Sequence, residues 1–175
     1  MKLMQYIQYL FFGILSLLVI GAIVFGVLIK NSLPKDNGEL ATSKISEEVL
    51  IYKDSWGIPH IEAQNKHDAI FAYGYTVAKD RLFQMDLQRR LSQGKLSELL
   101  GDDLVEIDIM FRTYLFKNWA ENYLSSSHLS EESLSYVNAF VEGVNHFVET
   151  GEKPFEYYLL NANVESFSAV DVASM

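Results

Sequence analysis

The chain has 175 residues, a formal net charge of −9 and no cysteine. Its length suits one modest domain, and its acidic balance argues against a nucleic-acid partner, which needs clustered Lys and Arg. The absence of cysteine excludes disulfide bonds, thiolate metal sites and cysteine nucleophiles.

Residues 1–30 are predicted to form a transmembrane anchor. An uncharged apolar run of 27 residues extends from Leu3 to Ile29. As an α-helix this run would be about 40 Å long, which exceeds the roughly 30 Å hydrocarbon layer of a bilayer. A cleaved secretory signal is the alternative, but its apolar core is usually only about 7–15 residues long. We therefore predict that residues 3–29 stay in the membrane.

Residues 31–48 are predicted to be a linker that holds the domain away from the bilayer. They are rich in Ser, Pro, Asp, Asn and Gly and contain few apolar side chains, so they cannot form a core of their own. The folded domain is expected to occupy residues 49–175.

This domain should open with two short strands around a turn. Val49–Tyr52 is β-prone, and the pattern resumes after Gly57, the turn residue best suited to a positive φ. Pro59 belongs at a strand start or an edge because it cannot donate a ladder hydrogen bond. His60 is interpreted as a packed, hydrogen-bonded side chain, with a catalytic base or a metal ligand as the alternative.

A long helix is predicted after the strands. Asn65 can cap it, and it is predicted to extend, with or without a break, to Leu100, with Gly101 as the terminating residue. Its apolar residues cover most faces, which predicts a buried helix. Three small residues would let another backbone approach closely: Ala72, Gly74 and Ala78.

Charged residues interrupt this apolar coverage. Asp86 has the spacing for a same-face ion pair with Arg89 or Arg90. Arg81 could bind a substrate carboxylate through its planar guanidinium group. We interpret Arg81 instead as half of a structural ion pair that positions the helix.

Residues 108–122 are predicted to form a further helix with an apolar, aromatic-rich stripe. The stripe is interpreted as core, and a pocket for a phenyl-bearing acyl group is the alternative. Its members recur at helical spacing and are Ile107, Met110, Phe111, Tyr114, Leu115 and Trp119.

Ser130 should cap another helix, from Glu131 to Thr150, which Gly151 ends. A new helix is predicted to begin near Ser168. Because short isolated helices are unstable in water, a helix of this length is expected to bury no apolar face, and the sequence is interpreted as truncated.

Four blocks of special residues follow one another in a characteristic order. They are DSWGIPH (residues 54–60), AYGY (72–75), DRLFQM (80–85) and the run Arg89, Arg90, Gly94, Glu98, Gly101. Together with GVN (143–145) and PFEYYLL (154–160), they resemble the opening part of the small chain of penicillin acylases. Lys53 stands where that family often has Arg.

The resemblance implies an α+β fold: one transmembrane helix, a short β-hairpin and a mainly helical fragment of an αββα sandwich. Members of the family are precursors that cleave themselves into a small and a large chain. The new terminal Ser of the large chain is the nucleophile, and its own amine is the base. The family hydrolyses amides of penicillins, cephalosporins or acyl-homoserine lactones.

The resemblance assigns no catalytic, substrate-binding or metal-binding residue to this chain. The family's pocket residues, its calcium ligand and its nucleophile match positions beyond Met175. We therefore expect no calcium ligand in this chain, although the family implies a calcium site. The expected partner is a large catalytic chain of the same precursor, and amide substrate should bind only to the complete enzyme. The domain is expected to be extracytoplasmic. A membrane-anchored binding or structural module, or a truncated inactive product, is the alternative. We also expect residues 31–175 alone to show neither amide hydrolysis nor a sharp unfolding transition.

Overall fold

A computed structural model describes residues 2–35, 37–126 and 129–175. Met1 and Asp36, which belong to the predicted anchor and linker, lie outside the described residues. The described chain is mainly helical and contains one two-stranded antiparallel sheet. The predicted combination of an apolar N-terminal helix, a hairpin and further helices is confirmed.

The described residues form eight α-helices and two strands. In chain order these are α1 (Lys2–Ser32), β1 (Leu50–Lys53), β2 (Pro59–Glu62), α2 (Lys66–Ser92), α3 (Ser97–Leu100), α4 (Val105–Tyr114), α5 (Phe116–Ser125), α6 (Glu131–Thr150), α7 (Phe155–Leu159) and α8 (Ala169–Ser174). The predicted helix over 66–100 thus becomes two helices, and so does the one over 108–122.

Helix α1 is long and apolar enough to cross a membrane over Met4–Ser32. A secretory signal near an amino terminus can pass the same test of length and composition, so the test alone does not separate an anchor from a signal. Its apolar side chains are exposed along most of the helix. Near its end, the ring of Phe25 meets Phe155 of α7 edge to face, with centroids 5.3 Å apart.

The hairpin has the predicted turn chemistry. Leu50 pairs with Glu62 and Lys53 pairs with Pro59 in an antiparallel register. Gly57 has a φ of 77°, as expected for the turn, and Pro59 is the first residue of β2. The two strands therefore form where the sequence predicts them, since local residue chemistry alone decides the turn.

Helix α2 begins as predicted, because the Asn65 side chain accepts a hydrogen bond from the backbone N–H of Asp68. The helix is broken at Arg81, whose φ of −144° and ψ of 27° are not helical. After α2 ends, the chain turns at Gly94 with a φ of 62°. Gly101 ends α3 with a φ of 101°, which confirms its predicted terminating role.

Helices α2 and α6 cross with their backbones in contact. A Cβ atom at Gly74 would lie 2.1 Å from the carbonyl oxygen of Phe140, and one at Gly143 would lie 2.0 Å from that of Phe71. The predicted close approach at small residues is thus confirmed. The core around this crossing contains Ala78, Leu82, Met85, Val141, Val144, Phe147 and Phe167.

The predicted aromatic stripe is not core. Leu115 has a left-handed backbone, with a φ of 57°, and separates α4 from α5. The side chains around this bend are exposed, with Tyr114 at 53% and Trp119 at 70%. The core interpretation was wrong because helical spacing of apolar residues indicates an apolar helix face but not what packs against it. No element of the described residues packs against this face.

The last two predicted helices form as expected. Ser130 accepts a hydrogen bond from the N–H of Ser133 at the start of α6, and Ser168 forms a reciprocal capping box with Asp171 at the start of α8. The expectation that this last helix buries nothing was wrong. Phe167 is buried in the core, and Val172 packs against it.

Candidate functional site

A buried ionic cluster lies at the centre of the fold. Asp86 is fully buried, and its carboxylate accepts hydrogen bonds from the Arg89 guanidinium, from Arg90 Nε at 3.1 Å and from the Tyr157 hydroxyl at 3.0 Å. Asp86 therefore pairs with both predicted arginines. We call Asp86, Arg89, Arg90 and Tyr157 the Asp86 cluster.

The cluster joins distant parts of the chain. Arg89 Nη1 also donates to the carbonyl oxygens of Glu165 and Ser166, at 3.1 and 3.2 Å. Its guanidinium carbon lies 4.2 Å from the centroid of the Phe167 ring, a cation–π distance. Since these contacts connect α2 to the segment before α8, the main role of the cluster is to hold these two parts of the fold together.

The protonation chemistry of the cluster supports the same conclusion. Burial raises the pKa of Tyr157, and the adjacent Asp86 carboxylate raises it further, so the hydroxyl stays protonated and donates. Both carboxylate oxygens of Asp86 already accept hydrogen bonds. The Tyr157 hydroxyl therefore acts as a hydrogen-bond donor inside the cluster, which agrees with a structural role.

A cavity of about 340 Å³ lies beside the cluster. Its four cationic side chains are matched by four acidic ones; among them, Arg90 lies 3.7 Å from Glu98, and Lys117 lies 3.9 Å from Glu121. Because the positive charges are paired in this way, the cavity does not offer the concentrated charge of an anion site.

Asp68 holds the end of the predicted linker. Its buried carboxylate accepts hydrogen bonds from the N–H and hydroxyl of Ser46, the N–H of Glu47 and the side-chain amide of Asn65. Burial opposes its ionisation, but these hydrogen bonds outweigh burial and lower its pKa to about 2. The sequence analysis missed this carboxylate; its place one turn after a capping Asn was the available signal.

Asp108 is a second buried carboxylate that the sequence analysis did not assign. It accepts from the N–H of Leu96 and the N–H of Ser97, at 2.8 and 2.9 Å. Burial raises its pKa, yet these hydrogen bonds and the charge of Arg112 lower the pKa more strongly. Arg112 itself donates to the carbonyl of Gly94 at 2.8 Å. Both side chains therefore fix the loop before α3, and no local pattern predicts this.

His60 lies in the hairpin and makes local contacts. Its Nε2 lies 3.2 Å from Asp54 Oδ2, and its ring stacks on Tyr52 with centroids 5.2 Å apart. A backbone hydrogen bond from Ile58, followed by weaker effects that include His60, lowers the pKa of Asp54. The prediction of a hydrogen bond at His60 is confirmed, but the prediction that the side chain is packed was wrong, because the side chain is 46% exposed.

Arg81 is exposed and contacts Gln84, with 3.5 Å between Nη1 and Oε1. Within the described residues it pairs with no carboxylate, so its interpretation as a structural ion pair was wrong. The break in α2 at Arg81 explains the difference, because residues three or four positions apart no longer share a regular helix face there.

No metal site emerges elsewhere in the part of the chain that the structure describes. Across residues 2–35, 37–126 and 129–175 no three His, Asp or Glu side chains are grouped so that they could hold a metal ion. In the same residues the buried Nε2 of His146 has no hydrogen-bond partner. That atom lies among aromatic rings, with Phe71 and Tyr75 centroids 5.7 and 6.0 Å from the imidazole. The calcium site that the family resemblance implies stays a prediction.

The sequence model of the penicillin amidase family matches residues 48–175. The chain belongs to the penicillin amidase family. In this family member the motif blocks hold the scaffold together: Gly74 lies at the α2–α6 crossing, Gly101 ends α3, and Arg89 and Arg90 bind Asp86.

The curated relatives of this penicillin amidase family member are acylases. The chain is 38% identical to the penicillin acylase 2 proenzyme of Pseudomonas sp. (strain SE83) over 135 residues, which are 77% of this chain and 17% of that protein. It is 36% identical to the penicillin G acylase of Escherichia coli over 59% of this chain and 12% of that protein. It is 35% identical to the acyl-homoserine lactone acylase QuiP of Pseudomonas aeruginosa over 67% of this chain and 14% of that protein.

The fold agrees with the family. The thermostable penicillin G acylase from Alcaligenes faecalis superposes with a TM-score of 0.65 at 28% identity, over 74% of this chain and 70% of the matched chain. By contrast, the chain spans less than a fifth of the length of the three curated relatives. It therefore resembles one part of these acylases.

Proposed function

We propose that this chain is the small-chain scaffold of an amidohydrolase that is made as a precursor. The complete enzyme would hydrolyse linear amide bonds, such as those of penicillins, cephalosporins or acyl-homoserine lactones. The observation that carries the proposal is the family match over residues 48–175, whose relatives are penicillin and acyl-homoserine lactone acylases.

The nucleophile belongs, in this proposal, to a larger chain of the same precursor. A Ser at the amino terminus of that chain would attack the amide carbonyl and use its own amine as the base. Oxyanion donors and a substrate pocket must be held in place around it. We assign none of these roles, and no calcium ligand, to a residue of the present chain.

Two surfaces of the chain suit such a partner. Around Leu115, apolar side chains of α4 and α5 are exposed. The hairpin exposes Leu50 and Ile58, and each of its strands pairs on one side only within the described residues. Burying exposed apolar area and pairing a sheet edge are both favourable, so a larger chain that completes an αββα sandwich would stabilise both surfaces.

We further propose that α1 is a retained anchor and that the domain is extracytoplasmic. The length of the uncharged run supports an anchor over a signal. Mass spectrometry of the mature amino terminus tests this: a chain that begins at or next to Met1 supports the anchor, and a chain that begins after α1 contradicts it.

The enzymatic proposal is tested with a chimera. The stretch of the penicillin acylase 2 proenzyme that matches this chain is replaced by residues 48–175, and the product is assayed for self-cleavage and for hydrolysis of a chromogenic acyl amide. We expect both activities. The matched control is the chain of 175 residues alone, which should release no product; turnover by that control would contradict the assignment of the chemistry to a larger chain.

A binding module without enzymatic activity is the second candidate. The exposed aromatic surface around Leu115 favours it, because aromatic side chains are enriched at the centres of protein interfaces. A chimera that neither cleaves itself nor hydrolyses amides, together with a native chain that binds a partner through this surface, would favour the module over the amidase scaffold.

A further inference from the structure

Helix α7 joins the core of the domain to α1. The Tyr157 side chain is fully buried and donates to Asp86, so α7 has a fixed position. Phe155 packs against Phe25 of α1. The three remaining side chains of α7 are exposed: Tyr158 at 42%, Leu159 at 64% and the anionic Glu156. An apolar edge therefore lies next to the candidate membrane helix.

The depth of this contact along α1 is informative. Phe25 lies four residues before Ile29, the last residue of the uncharged run. Four residues of helix correspond to about 6 Å, and the run exceeds the hydrocarbon layer by about 5 Å at each end when it is centred, so the ring of Phe25 would lie close to the hydrocarbon boundary when α1 spans a bilayer. Phe155, which touches that ring, would lie at a similar depth.

The polar groups around α7 suit the same boundary. Lys153 Nζ lies 5.1 Å from the centroid of the Tyr158 ring and donates to Asn163 Oδ1 at 2.8 Å. Lys35, just after α1, lies 3.5 Å from Glu152. Tyrosine rings with lysine side chains whose charged ends reach water are typical of the membrane–water interface.

We propose that α7 is an interfacial membrane contact, with Tyr158 and Leu159 inserted at the acyl boundary of the bilayer that holds α1. This inference rests on the proposed anchor and goes beyond the amidase role. The contact would hold the domain in a fixed orientation on the lipid surface, whereas attachment through the linker of residues 31–48 alone would leave its orientation free. A short apolar element of this kind binds weakly on its own, so the anchor supplies the lasting attachment.

The test uses the full chain in phosphatidylcholine vesicles. Its two native tryptophans are first removed by Trp56→Phe and Trp119→Phe, both at exposed positions. Single tryptophans are then introduced by Tyr158→Trp in α7 or Leu18→Trp in the middle of α1. Their fluorescence is measured with lipids brominated either near the headgroup end or near the middle of the acyl chains.

A third variant, Tyr136→Trp, is the matched control. Tyr136 lies on α6, fifteen residues before Gly151, so it is about 20 Å along the helix from the end of α6 that leads into α7. Its side chain forms a hydrogen bond with Glu132 on the helix surface. Replacing it reports on the domain surface far from the proposed contact.

We expect the fluorescence of the Tyr158→Trp variant to be quenched strongly by the shallow lipid, which is brominated near the headgroup end. The deep lipid, which is brominated near the middle of the acyl chains, should quench it little. The Leu18→Trp variant should be quenched most by the deep lipid, and the Tyr136→Trp variant by neither. Adding Leu159→Glu should reduce the quenching of the Tyr158→Trp variant severalfold.

The other outcomes separate the two proposals. Quenching of the Leu18→Trp variant without quenching of the Tyr158→Trp variant would overturn the interfacial contact and leave the anchor standing. An unquenched Leu18→Trp variant would overturn both. Equal quenching of the Tyr136→Trp and Tyr158→Trp variants would mean that the whole domain surface lies on lipid, and it would overturn a specific role for α7.

Discussion

Tyr157 donates its hydroxyl to Asp86 at 3.0 Å across 71 positions of sequence. Both side chains are fully buried, so this hydrogen bond fastens α7 to α2 in a site where water cannot replace either partner. Because burying an unpaired polar group is unfavourable, the bond also fixes which face of α7 turns outward.

We predict that Tyr157→Phe loosens α7 without unfolding α2. The change leaves Asp86 with one donor fewer and should cost about 1–3 kcal/mol in the local opening free energy. Hydrogen exchange of residues 155–167, measured on the full chain in detergent micelles, reports this loss. The control is Tyr158→Phe, which removes a hydroxyl from an exposed ring and should leave exchange unchanged. Equal exchange in the two variants would contradict the proposed fastening.

Gly74→Ala should force α2 and α6 apart. The added Cβ would lie 2.1 Å from the carbonyl oxygen of Phe140, a backbone atom that cannot rotate away. Overpacking of this kind typically costs about 1–3 kcal/mol, and we expect faster proteolysis throughout the crossing. Gly26→Ala is the matched control, since its Cβ would meet no atom within 4 Å. Unchanged proteolysis of the Gly74→Ala variant would show that the crossing tolerates a wider spacing.

Acid should release the segment that precedes β1. The folded pKa of Asp68 is about 2, below its ordinary value of 3.8. For a carboxyl with a lowered folded pKa, the stabilisation is complete above the ordinary value and is lost as the pH falls through the folded value. Pepsin, which is active in this range, should therefore cut near Ser46 and Glu47 faster as the pH approaches 2.

The variant Asp68→Asn isolates this effect. It removes the charge that holds the two backbone N–H groups, so pepsin should cut the segment faster than in the native chain above pH 3.8 and at a similar rate near pH 2. Asp103→Asn, at an exposed position, corrects for the pH dependence of the protease. A constant ratio between the Asp68→Asn and native rates would contradict the role of Asp68.

Local chemistry made part of this fold predictable from sequence. Asn65 and Ser130 cap their helices, and Gly57 takes the positive φ, because each depends only on neighbouring residues. The ion pairing of Asp86 with Arg89 follows from helical spacing in the same way.

The remaining features depend on contacts that spacing does not report. Nothing near Asp86 in the sequence indicates Tyr157, and nothing near Asp108 indicates that it fixes Leu96 and Ser97. The break at Leu115 was also missed, since it contains neither Gly nor Pro. An apolar stripe that faces a partner has the same periodicity as one that faces the core. Only the structure therefore shows that the side chains of this stripe are exposed to solvent.

The exposed surface around Leu115 leads to the last prediction. Trp119 is 70% exposed on α5, so Trp119→Ser removes a large apolar side chain without opening a cavity in the scaffold. We expect the chain alone to keep its hydrogen-exchange pattern. In the chimera with the penicillin acylase 2 proenzyme, we expect less self-cleaved product, because a central aromatic contact with the larger chain is lost; truncating such a residue often costs about 2 kcal/mol or more.

Asn118→Ser is the control for that experiment. Asn118 is the neighbouring residue and is also exposed, so it tests whether any change on this helix impairs assembly. Its chimera should mature normally. If both chimeras mature equally well, the surface is not the contact with the larger chain. If the isolated Trp119→Ser chain, without the larger chain, loses hydrogen-exchange protection, Trp119 stabilises the scaffold itself. Only impaired maturation with an intact scaffold supports an interface, because the side chain then acts on a surface that α4 and α5 leave uncovered.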